Sequence, residues 1–509
     1  MFLIFKNFEV IQMKNKLSTQ ILNVENYEKG LTKETKRKFG RYNTPIDLVK
    51  FMLNDIKLNT TMKILEPGCG VGNFVVMILE ELKEKYASQN NIDNNITRII
   101  LENNLFALDN DSHAIDILKH FLDVSKYENN IKVCSFLTQT VFDNEKFDLI
   151  IGNPPYAATL SDEEKKYCQK NFPDIFDETN DSAALFTAKS IELLKEGGYL
   201  SFIVPATILR VLKYRSLREK IKKSCDVIRI VDVRRAFKDV GYEVVILVLR
   251  KKNGFEKPKE VEVLTDFNLN NLSYKKHTLN YDYFENRLIF PLFISNSLVP
   301  VINNIEEDTI LLSKIAAMPR GLAIVSTDNR YISYSKKQGY IEALRGKDIE
   351  RFRTKPIKIY IEILQKNIKK YYDFSKQKKI LVQNLAYKIV AALDESGAVP
   401  LDTLNTLLIK KNDFYYEYII CILNSQLMSF YFQNAITNRA RLNIHLDEPY
   451  LGQIPIKIID KTKQQEFVNL FNQLNKKFDK KIIELIDEEV FKLYGITNKK
   501  EIVENTING

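Results

Sequence analysis

Apolar residues in the first half of the chain follow two alternating patterns. Short apolar runs, which predict buried strands, alternate with stretches whose apolar residues recur every three or four positions, which predict helices. Strands are predicted over residues 62–65, 105–108, 131–136, 147–152, 199–204, 227–233 and 242–249. Helices are predicted from Thr44-Pro45 to about residue 56 and over 74–86, 114–121, 183–194 and 207–223, with a loop over 161–181 and a turn at Gly197-Gly198. Seven strands alternating with helices, the last two joined by a short connection, predict an open α/β sheet with one antiparallel strand.

The pattern changes near residue 256, where the alternation fades and aromatic residues become interleaved with lysines. A chain of 509 residues is too long for one ordinary core. We therefore predict an N-terminal extension (1–33), an α/β domain (34–255) and a C-terminal mixed α+β domain (256–509). One or two amphipathic helices over residues 464–494 are expected to close the last domain.

Composition indicates the expected cellular environment of the protein more than its function. Lys and Arg outnumber Asp and Glu by 75 to 65, a net charge of +10 that suits a polyanionic partner but also an ordinary solvated surface. The five cysteines are scattered without CxxC spacing, so neither disulfides nor a zinc site is expected. No apolar run is long enough to cross a bilayer, and residues 1–10 lack the cleavage pattern of a signal peptide. A cytoplasmic protein that needs no metal and no membrane is predicted.

A glycine-rich loop follows the first strand and carries the first candidate chemistry. Gly68, Gly70 and Gly72 occupy alternate positions, which lets the backbone turn tightly beside a ligand at a helix start. The spacing departs from the dinucleotide pattern G-x-G-x-x-G. Glu66 at the strand end would repel a phosphate but attract a cationic amino group. A tight turn without a ligand is the simpler alternative.

Acidic residues follow the second strand. Asp109 stands where an adenosine ribose would be held through its hydroxyl groups, given the glycine loop upstream. Either Asp109 or Asp111 could instead cap the helix that follows.

The fourth strand ends in Asn153-Pro154-Pro155-Tyr156. An amide oxygen beside prolines, which have no N–H, offers acceptors to an exocyclic NH2 group, and the adjacent ring offers a stacking face. An Asn-Pro turn without chemical function is the alternative.

Taken in order, Thr44-Pro45, the loop Glu66 to Gly72, Asp109 and Asn153 to Tyr156 resemble S-adenosylmethionine-dependent adenine-N6 DNA methyltransferases of the TaqI type. Weaker similarity to the TaqI-like C-terminal specificity domain is carried by residues 346–352, 423–425 and 450–455. The resemblance implies a Rossmann-like methyltransferase sheet followed by a DNA target-recognition domain.

The resemblance also implies the binding residues for S-adenosyl-L-methionine. They would be Thr44, Glu66, Gly68, Cys69, Gly70, Asp109, Phe136 and Pro155. The family holds the adenine moiety of the cofactor with an Asp-Phe pair at the end of the third strand. Here the pair is Ser135-Phe136, so the ring is present and the charge is absent.

For catalysis, the family pattern assigns acceptor roles to Asn153 and the Pro154 carbonyl, which would polarise the amino group of a base flipped out of the duplex. Tyr156 would stack on the base, and Phe237 resembles the aromatic on its other side, although a core phenylalanine is the alternative there. Direct methyl transfer would follow without a covalent intermediate.

The predicted partner is double-stranded DNA, with a cognate restriction endonuclease completing a restriction-modification system and a monomer as the expected state. Arg320, Arg345, Arg439 and Arg441 are candidate DNA contacts. The N-terminal extension is too short for a cleavage domain, so no fused nuclease is expected. The alternatives are methylation of RNA or of a protein glutamine, and a DNA-binding protein with a decayed cofactor site.

Overall fold

A computed structural model describes the chain as two units, Met1–Leu292 and Phe293–Gly509. The residues described are 27, 44–54, 56–88, 95–124, 129–139, 141–142, 144–234, 243–254, 256–323, 331–362, 373–384, 386–440 and 445–507.

One large sheet organises the first unit. Its strands are β1 (Ile64–Pro67), β2 (Leu105–Asp109), β3 (Ile131–Val133), β4 (Phe147–Gly152), β5 (Leu194–Pro205), β6 (Cys225–Asp232), β7 (Val244–Lys251), β8 (Glu260–Asn268) and β9 (Ser273–Asn280). Every residue of β1 and β2 is buried. Continuous apolar runs form such strands because both faces of a mostly parallel sheet are covered by other elements.

The strand order is β3-β2-β1-β4-β5-β7-β6-β8-β9. The first five strands in this order are parallel, and β7 is antiparallel to both β5 and β6. The chain runs outward from β1 to β3 on one side and continues from β4 on the other. The carboxyl ends of β1 and β4 therefore flank the point where strand order reverses, which is where open α/β sheets bind ligands.

Helices connect most of these strands, and several pack on the sheet. They are α1 (Ile46–Asn54), α2 (Asn73–Ser88), α3 (Ile96–Asn103), α4 (Ser112–Leu122), α5 (Asp162–Asn171), α6 (Pro173–Glu178), α7 (Ser182–Leu193), α8 (Arg215–Ser224) and α9 (Tyr281–Glu285). Helices α2, α3 and α4 contact β2, while α7 contacts β5 and α8 contacts β6.

The sheet is larger than predicted. All seven predicted strands are present with one antiparallel to its neighbours, but β8 and β9 extend the sheet to nine strands. The sheet therefore continues past residue 255 to Asn280, and its unit extends to Leu292. Strands β8 and β9 escaped the sequence pattern because many of their residues are charged and exposed, as edge strands commonly are.

Three local predictions were wrong. Residues 161–181 contain helices α5 and α6, whose charged surfaces show little apolar periodicity. Gly197 and Gly198 lie within β5, where Gly197 has φ +75° and the pairing with β4 shifts register. The segment predicted as one helix over 207–223 begins with two short 3-10 turns, Ala206–Leu209 and Leu212–Tyr214, before α8.

The second unit is built from small sheets and helices. Its strands are β10 (Thr309–Leu311), β11 (Ala316–Ala317), β12 (Ile332–Ser333), β13 (Tyr340–Leu344), β14 (Ile349–Glu350), β15 (Arg353–Thr354), β16 (Ile359–Glu362), β17 (Lys379–Gln383), β18 (Ala391–Asp394), β19 (Val399–Pro400), β20 (Leu404–Ile409) and β21 (Pro455–Lys457). They form two four-stranded sheets, β11-β20-β17-β18 and β12-β16-β13-β19, and two two-stranded pairs, β10-β21 and β14-β15.

The helices of the second unit concentrate toward its end. They are α10 (Val299–Glu306), α11 (Leu312–Ile315), α12 (Tyr416–Leu423), α13 (Gln426–Tyr431), α14 (Glu448–Leu451), α15 (Lys461–Lys476), α16 (Lys480–Leu493) and α17 (Lys499–Glu504), with a 3-10 turn at Gly346–Asp348 and a π turn at Phe432–Ile436. Helices α15 and α16 confirm the amphipathic pair predicted over 464–494. Among the described helices, none combines the length and the apolar character needed to cross a membrane.

Candidate functional site

The glycine loop turns sharply between β1 and α2. Gly68, Gly70 and Gly72 have φ of +84°, +52° and +89°, a region that favours glycine. A Cβ at Gly72 would lie 2.4 Å from Leu118 Cδ1, so this position also requires glycine for packing. The loop is anchored to β2, because the N–H groups of Gly68 and Cys69 both donate to the Leu108 carbonyl, at 2.7 and 2.8 Å.

Two buried carboxylates lie at the ends of adjacent strands. Glu66 is 3% and Asp109 7% exposed. Glu66 Oε2 accepts the Val75 N–H at 3.1 Å. Burial raises the pKa of Glu66 well above its ordinary value, the Val75 N–H partly opposes this rise, and the nearby Asp109 charge adds to it. Among the described residues, the groups that shift the pKa of Glu66 include no cation, so this carboxyl group is suited to receive a positive charge.

The Asp109 carboxylate lies over the glycine loop. Its Oδ2 accepts the Gly70 N–H and its Oδ1 the Asp111 N–H, each at 2.8 Å. Asp111 is the N-cap of α4, accepting the N–H groups of His113 and Ala114. This separates the two acids: Asp111 starts the helix, and Asp109 faces the loop. Tyr27, in the predicted N-terminal extension, also donates its hydroxyl to Asp111.

Thr44 joins this site through a residue that the sequence did not single out. Thr44 is buried, and its carbonyl accepts a hydrogen bond from Asn73 Nδ2 at 2.9 Å. Asn73 is the first residue of α2, directly after the loop. The segment before α1 is thus tied to the first residue of α2, directly after the glycine loop.

The tetrapeptide at the end of β4 abuts the glycine loop. A Cβ at Gly68 would lie 3.7 Å from Pro155 Cδ, and one at Gly152 would lie 3.4 Å from Glu66 Cγ. The two motifs, more than 80 positions apart in the chain, therefore share one site. Parallel pairing of β1 with β4 brings them together, since it sets their carboxyl ends side by side.

Ser182 at the start of α7 fixes the shape of the tetrapeptide. Its hydroxyl donates to the Pro155 carbonyl at 2.6 Å and accepts the Ala158 N–H at 3.0 Å. Between them, Ala157 adopts φ +48°, an uncommon conformation for a non-glycine residue. The buried Ser182 side chain thus ties down the turn that follows Asn153 and Pro154. Nothing in the sequence pattern pointed to this serine.

Tyr156 has a contact that its sequence position did not suggest. Its hydroxyl lies within hydrogen-bond distance of both Asn153 Oδ1 and the Ile203 carbonyl, the latter at 3.2 Å. A hydroxyl has one proton, so it can donate to either acceptor. The ring is 2% exposed, so stacking on a base would require the ring to be uncovered as the base enters.

Phe136 closes the side of the site formed by β3. It lies just beyond β3, which ends at Val133 rather than at residue 136. Its ring is buried and lies 4.9 Å from the ring of Phe186, measured between centroids. Phe186 Cε1 in turn would lie 3.6 Å from a Cβ at Gly68. A continuous row of contacts therefore runs from Phe136 through Phe186 to the glycine loop.

The remaining candidate residues, for base stacking and DNA contact, lie in different surroundings. Phe237 and Arg441 lie outside the described residues. Arg345 is buried and paired with Asp348 at 2.9 Å, and the half-buried Arg439 donates to Asn434 and Asn505. Arg320 is exposed. Within the described ranges there is no group of three or more side chains suited to hold a metal ion.

Two protein-family models match the chain. The Eco57I restriction-modification methylase matches residues 14–238, and the TaqI-like C-terminal specificity domain matches residues 341–456. Residues 14–238 are therefore similar to an Eco57I-like restriction-modification methylase, and residues 341–456 to a TaqI-like specificity domain. The first match begins within the segment predicted as an N-terminal extension, which agrees with the Tyr27 contact to α4.

Two of the similar proteins with curated descriptions are type II enzymes. A putative type II restriction enzyme and methyltransferase of Methanocaldococcus jannaschii, RM.MjaORFECS2P, is 26% identical over 410 residues, which are 72% of this chain and 33% of that protein. The type II methyltransferase M.VspI of a Vibrio species is 24% identical over 330 residues, 64% of this chain and 74% of its own length. The chain thus spans a third of the first relative and three quarters of the second.

Solved structures show the same fold at low identity. MmeI, a type IIL restriction-modification enzyme solved in complex with DNA, aligns over 93% of this chain and 79% of its own, with a TM-score of 0.61 and 10% identity. LlaBIII, a type ISP restriction-modification enzyme bound to DNA, aligns over 91% of this chain and 41% of its own, with a TM-score of 0.57 and 13% identity. These similarities concern the fold alone.

Proposed function

We propose that the protein is a sequence-specific DNA methyltransferase that transfers a methyl group from S-adenosyl-L-methionine to the exocyclic N6 of adenine, as the modification component of a restriction-modification system. The observation that carries the proposal is the contact between the glycine loop and the tetrapeptide, Gly68 against Pro155. This proximity supports a proposal in which the loop cradles the cofactor and the tetrapeptide accepts hydrogen bonds from the target amino group. The TaqI-like specificity domain supports double-stranded DNA as the partner.

The residues of the first unit fit this cofactor. The paired carboxylates of Glu66 and Asp109 suit a ligand with a cationic amino group and ribose hydroxyls, and would repel a pyrophosphate. Glu66 would bind the ammonium group, Asp109 the ribose, and Phe136 and Pro155 the apolar faces. Gly68, Gly70 and Cys69 supply a backbone without bulk. The bound cofactor supplies an electrophilic methyl group on a sulfonium.

The protein's contribution to catalysis is positioning and polarisation. The N6 lone pair of adenine is delocalised into the ring and is a poor nucleophile. The two N–H groups of adenine N6 would donate hydrogen bonds to Asn153 Oδ1 and to the Pro154 carbonyl. These hydrogen bonds would localise the nitrogen lone pair and direct it toward the methyl group of the cofactor. The Ser182 hydroxyl donates a hydrogen bond to the Pro155 carbonyl, which restrains the backbone of the tetrapeptide at Pro155. As the base arrives, the Tyr156 hydroxyl can turn from Asn153 to Ile203.

Sequencing of DNA from cells that express the protein tests the proposal directly. Single-molecule sequencing is expected to find N6-methyladenine at one recurring short motif, and to find none in cells that express the Asn153→Ala variant. A mark on cytosine would overturn the choice of base. Unmodified DNA from cells with abundant folded protein would overturn the assignment of DNA as substrate.

Cofactor affinity is expected to depend on pH through Glu66. Its raised pKa keeps part of the carboxyl protonated above the ordinary range, whereas a cationic ligand binds the deprotonated form. Affinity should therefore rise with pH until Glu66 is fully ionised, up to about pH 8, where the ligand's own α-amino group titrates. Binding should also release protons.

Calorimetric titration with S-adenosyl-L-methionine, in two buffers of different ionisation enthalpy, measures both effects. The Glu66→Gln variant should bind more weakly and lose the pH dependence. The Glu80→Gln variant, which changes a partly exposed acid on α2, is the matched control and should behave as wild type. Equal affinity of the wild type across this pH range would contradict the role of Glu66.

A further inference from the structure

The end of β3 lacks an acid in the sequence, but a carboxylate reaches it from another element. Ser135 Oγ donates to Glu164 Oε1 at 2.5 Å. Glu164 belongs to α5, the helix that follows the tetrapeptide, and lies 29 positions from Ser135. The neutral hydroxyl of Ser135 is thus hydrogen-bonded to the carboxylate of Glu164.

Local structure holds Glu164 in this place. Ser161 caps α5: its hydroxyl accepts the Glu164 N–H at 3.2 Å, while Glu164 Oε2 accepts the Ser161 N–H at 2.8 Å. This reciprocal capping box orients the carboxylate with one oxygen toward the helix start and the other toward Ser135. The motif Ser-x-x-Glu is legible in the sequence, but its direction toward β3 is not.

The pair lies at the rim of the cofactor site. Cys134, the residue before Ser135, donates its N–H to the Asp109 carbonyl at 2.9 Å. Phe136, the residue after it, contacts Phe186, which reaches the glycine loop. Ser135, which holds the Glu164 carboxylate, is thus one residue before Phe136 and two residues after the end of β3 at Val133.

Among the described residues, no cationic side chain forms an ion pair with the Glu164 carboxylate. The ion pairs formed on α5 include Lys165 with Asp162 but none with Glu164. Lys189, the buried lysine nearby, donates to the carbonyls of Leu137 and Gln139. Each carboxylate oxygen has two lone pairs, so Glu164 can accept a further N–H beside the Ser135 hydroxyl and the Ser161 N–H.

We propose that Glu164 recognises the exocyclic amino group of the cofactor's adenine, with Ser135 holding the carboxylate in place. The inference rests on the proposed use of S-adenosyl-L-methionine. A carboxylate from α5 thus reaches the segment just beyond β3, beside Phe136. Glu164 is then a specificity residue for a 6-amino purine against a 6-oxo purine, because a carboxylate attracts an N–H donor and repels a carbonyl oxygen.

The test compares S-adenosylhomocysteine with S-inosylhomocysteine, its 6-oxo counterpart, by calorimetry on the full chain. Wild type is expected to prefer the adenosyl ligand. Glu164→Gln should weaken adenosyl binding about tenfold, since a charge-assisted hydrogen bond becomes a neutral one. The variant should also discriminate less between S-adenosylhomocysteine and S-inosylhomocysteine, because the glutamine amide can donate a hydrogen bond to the 6-oxo group. Glutamine still completes the capping box, so the melting temperature should not change.

Two further variants sharpen the result. Glu163→Gln alters the exposed neighbour on the same helix and should leave both affinities unchanged. The double variant Ser135→Asp, Glu164→Gln returns the charge to the strand end and should restore the adenosyl preference. Wild type that binds neither ligand would refute the proposed cofactor. Wild type that binds S-adenosylhomocysteine, together with a Glu164→Gln variant of unchanged preference, would overturn the role of Glu164 alone.

Discussion

The Asn153→Ala variant is expected to lose methyl transfer by a factor of about 10²–10³, while binding DNA and cofactor as wild type does. Alanine removes the amide oxygen that would accept a proton of the target amino group. Loss of a single preorganised hydrogen-bonding group in an active site costs on the order of 10²–10³ in rate. Asn153 is only half-buried, so its truncation leaves no large cavity.

Transfer of a labelled methyl group to duplex DNA measures the rate, and fluorescence anisotropy measures DNA binding. Asn180→Ala, an exposed asparagine in the segment before α7, is the matched control and should retain full activity. Asn153→Asp keeps an acceptor oxygen and should fall between alanine and wild type. If Asn153→Ala loses DNA binding and thermal stability together with activity, the residue has a structural role instead. Undiminished transfer would contradict the mechanism.

The Lys379→Met variant is expected to lower the free energy of unfolding of the second unit by about 3–5 kcal/mol. Lys379 in β17 and Asp394 in β18 face each other across the ladder, with Nζ 2.5 Å from Oδ2 and side chains 0% and 1% exposed. Methionine fills a similar volume but leaves the Asp394 charge buried without its partner. An unpaired buried charge costs far more than the loss of an exposed ion pair.

Denaturation by urea, followed by circular dichroism, measures this loss. The double variant Lys379→Met, Asp394→Leu removes both charges and should be more stable than Lys379→Met alone. Lys376→Met changes an exposed lysine nearby and should stay within about 0.5 kcal/mol of wild type. Cofactor binding, assigned to residues of the first unit, is expected to survive. A Lys379→Met variant as stable as wild type would show that the pair contributes no net stability.

The sequence predicted most of the first unit because its strands are continuous apolar runs. The fourth strand, 147–152, is β4 with the same bounds, and the glycine loop begins where β1 ends. Predictions were weakest where burial does not dictate residue type. Helix α5 presents charged residues along most of its length, and β9 is exposed over its first four.

Several residues of the candidate site were legible because each has a distinctive local chemistry. Glu66, Asp109 and Asn153 each directly follow an apolar run of the sequence, where polar side chains at a sheet edge indicate a ligand. Ser182 and Asn73 were missed because serine and asparagine at a helix start are ordinary capping residues. Only their partners, the carbonyls of Pro155 and Thr44, reveal the support they give.

The sequence by itself determined the kind of sheet, the loop that needs glycine and the residue types available for chemistry. Tertiary structure decided which of them meet. Asp109 and Asp111 are equivalent caps in the sequence, and the fold separates them into a loop contact and a helix cap. In the sequence Ser135 carries no charge, but in the fold the Glu164 carboxylate reaches Ser135 from α5. Apolar periodicity and backbone conformation are local properties, whereas the partner of a polar side chain depends on strand order and pairing.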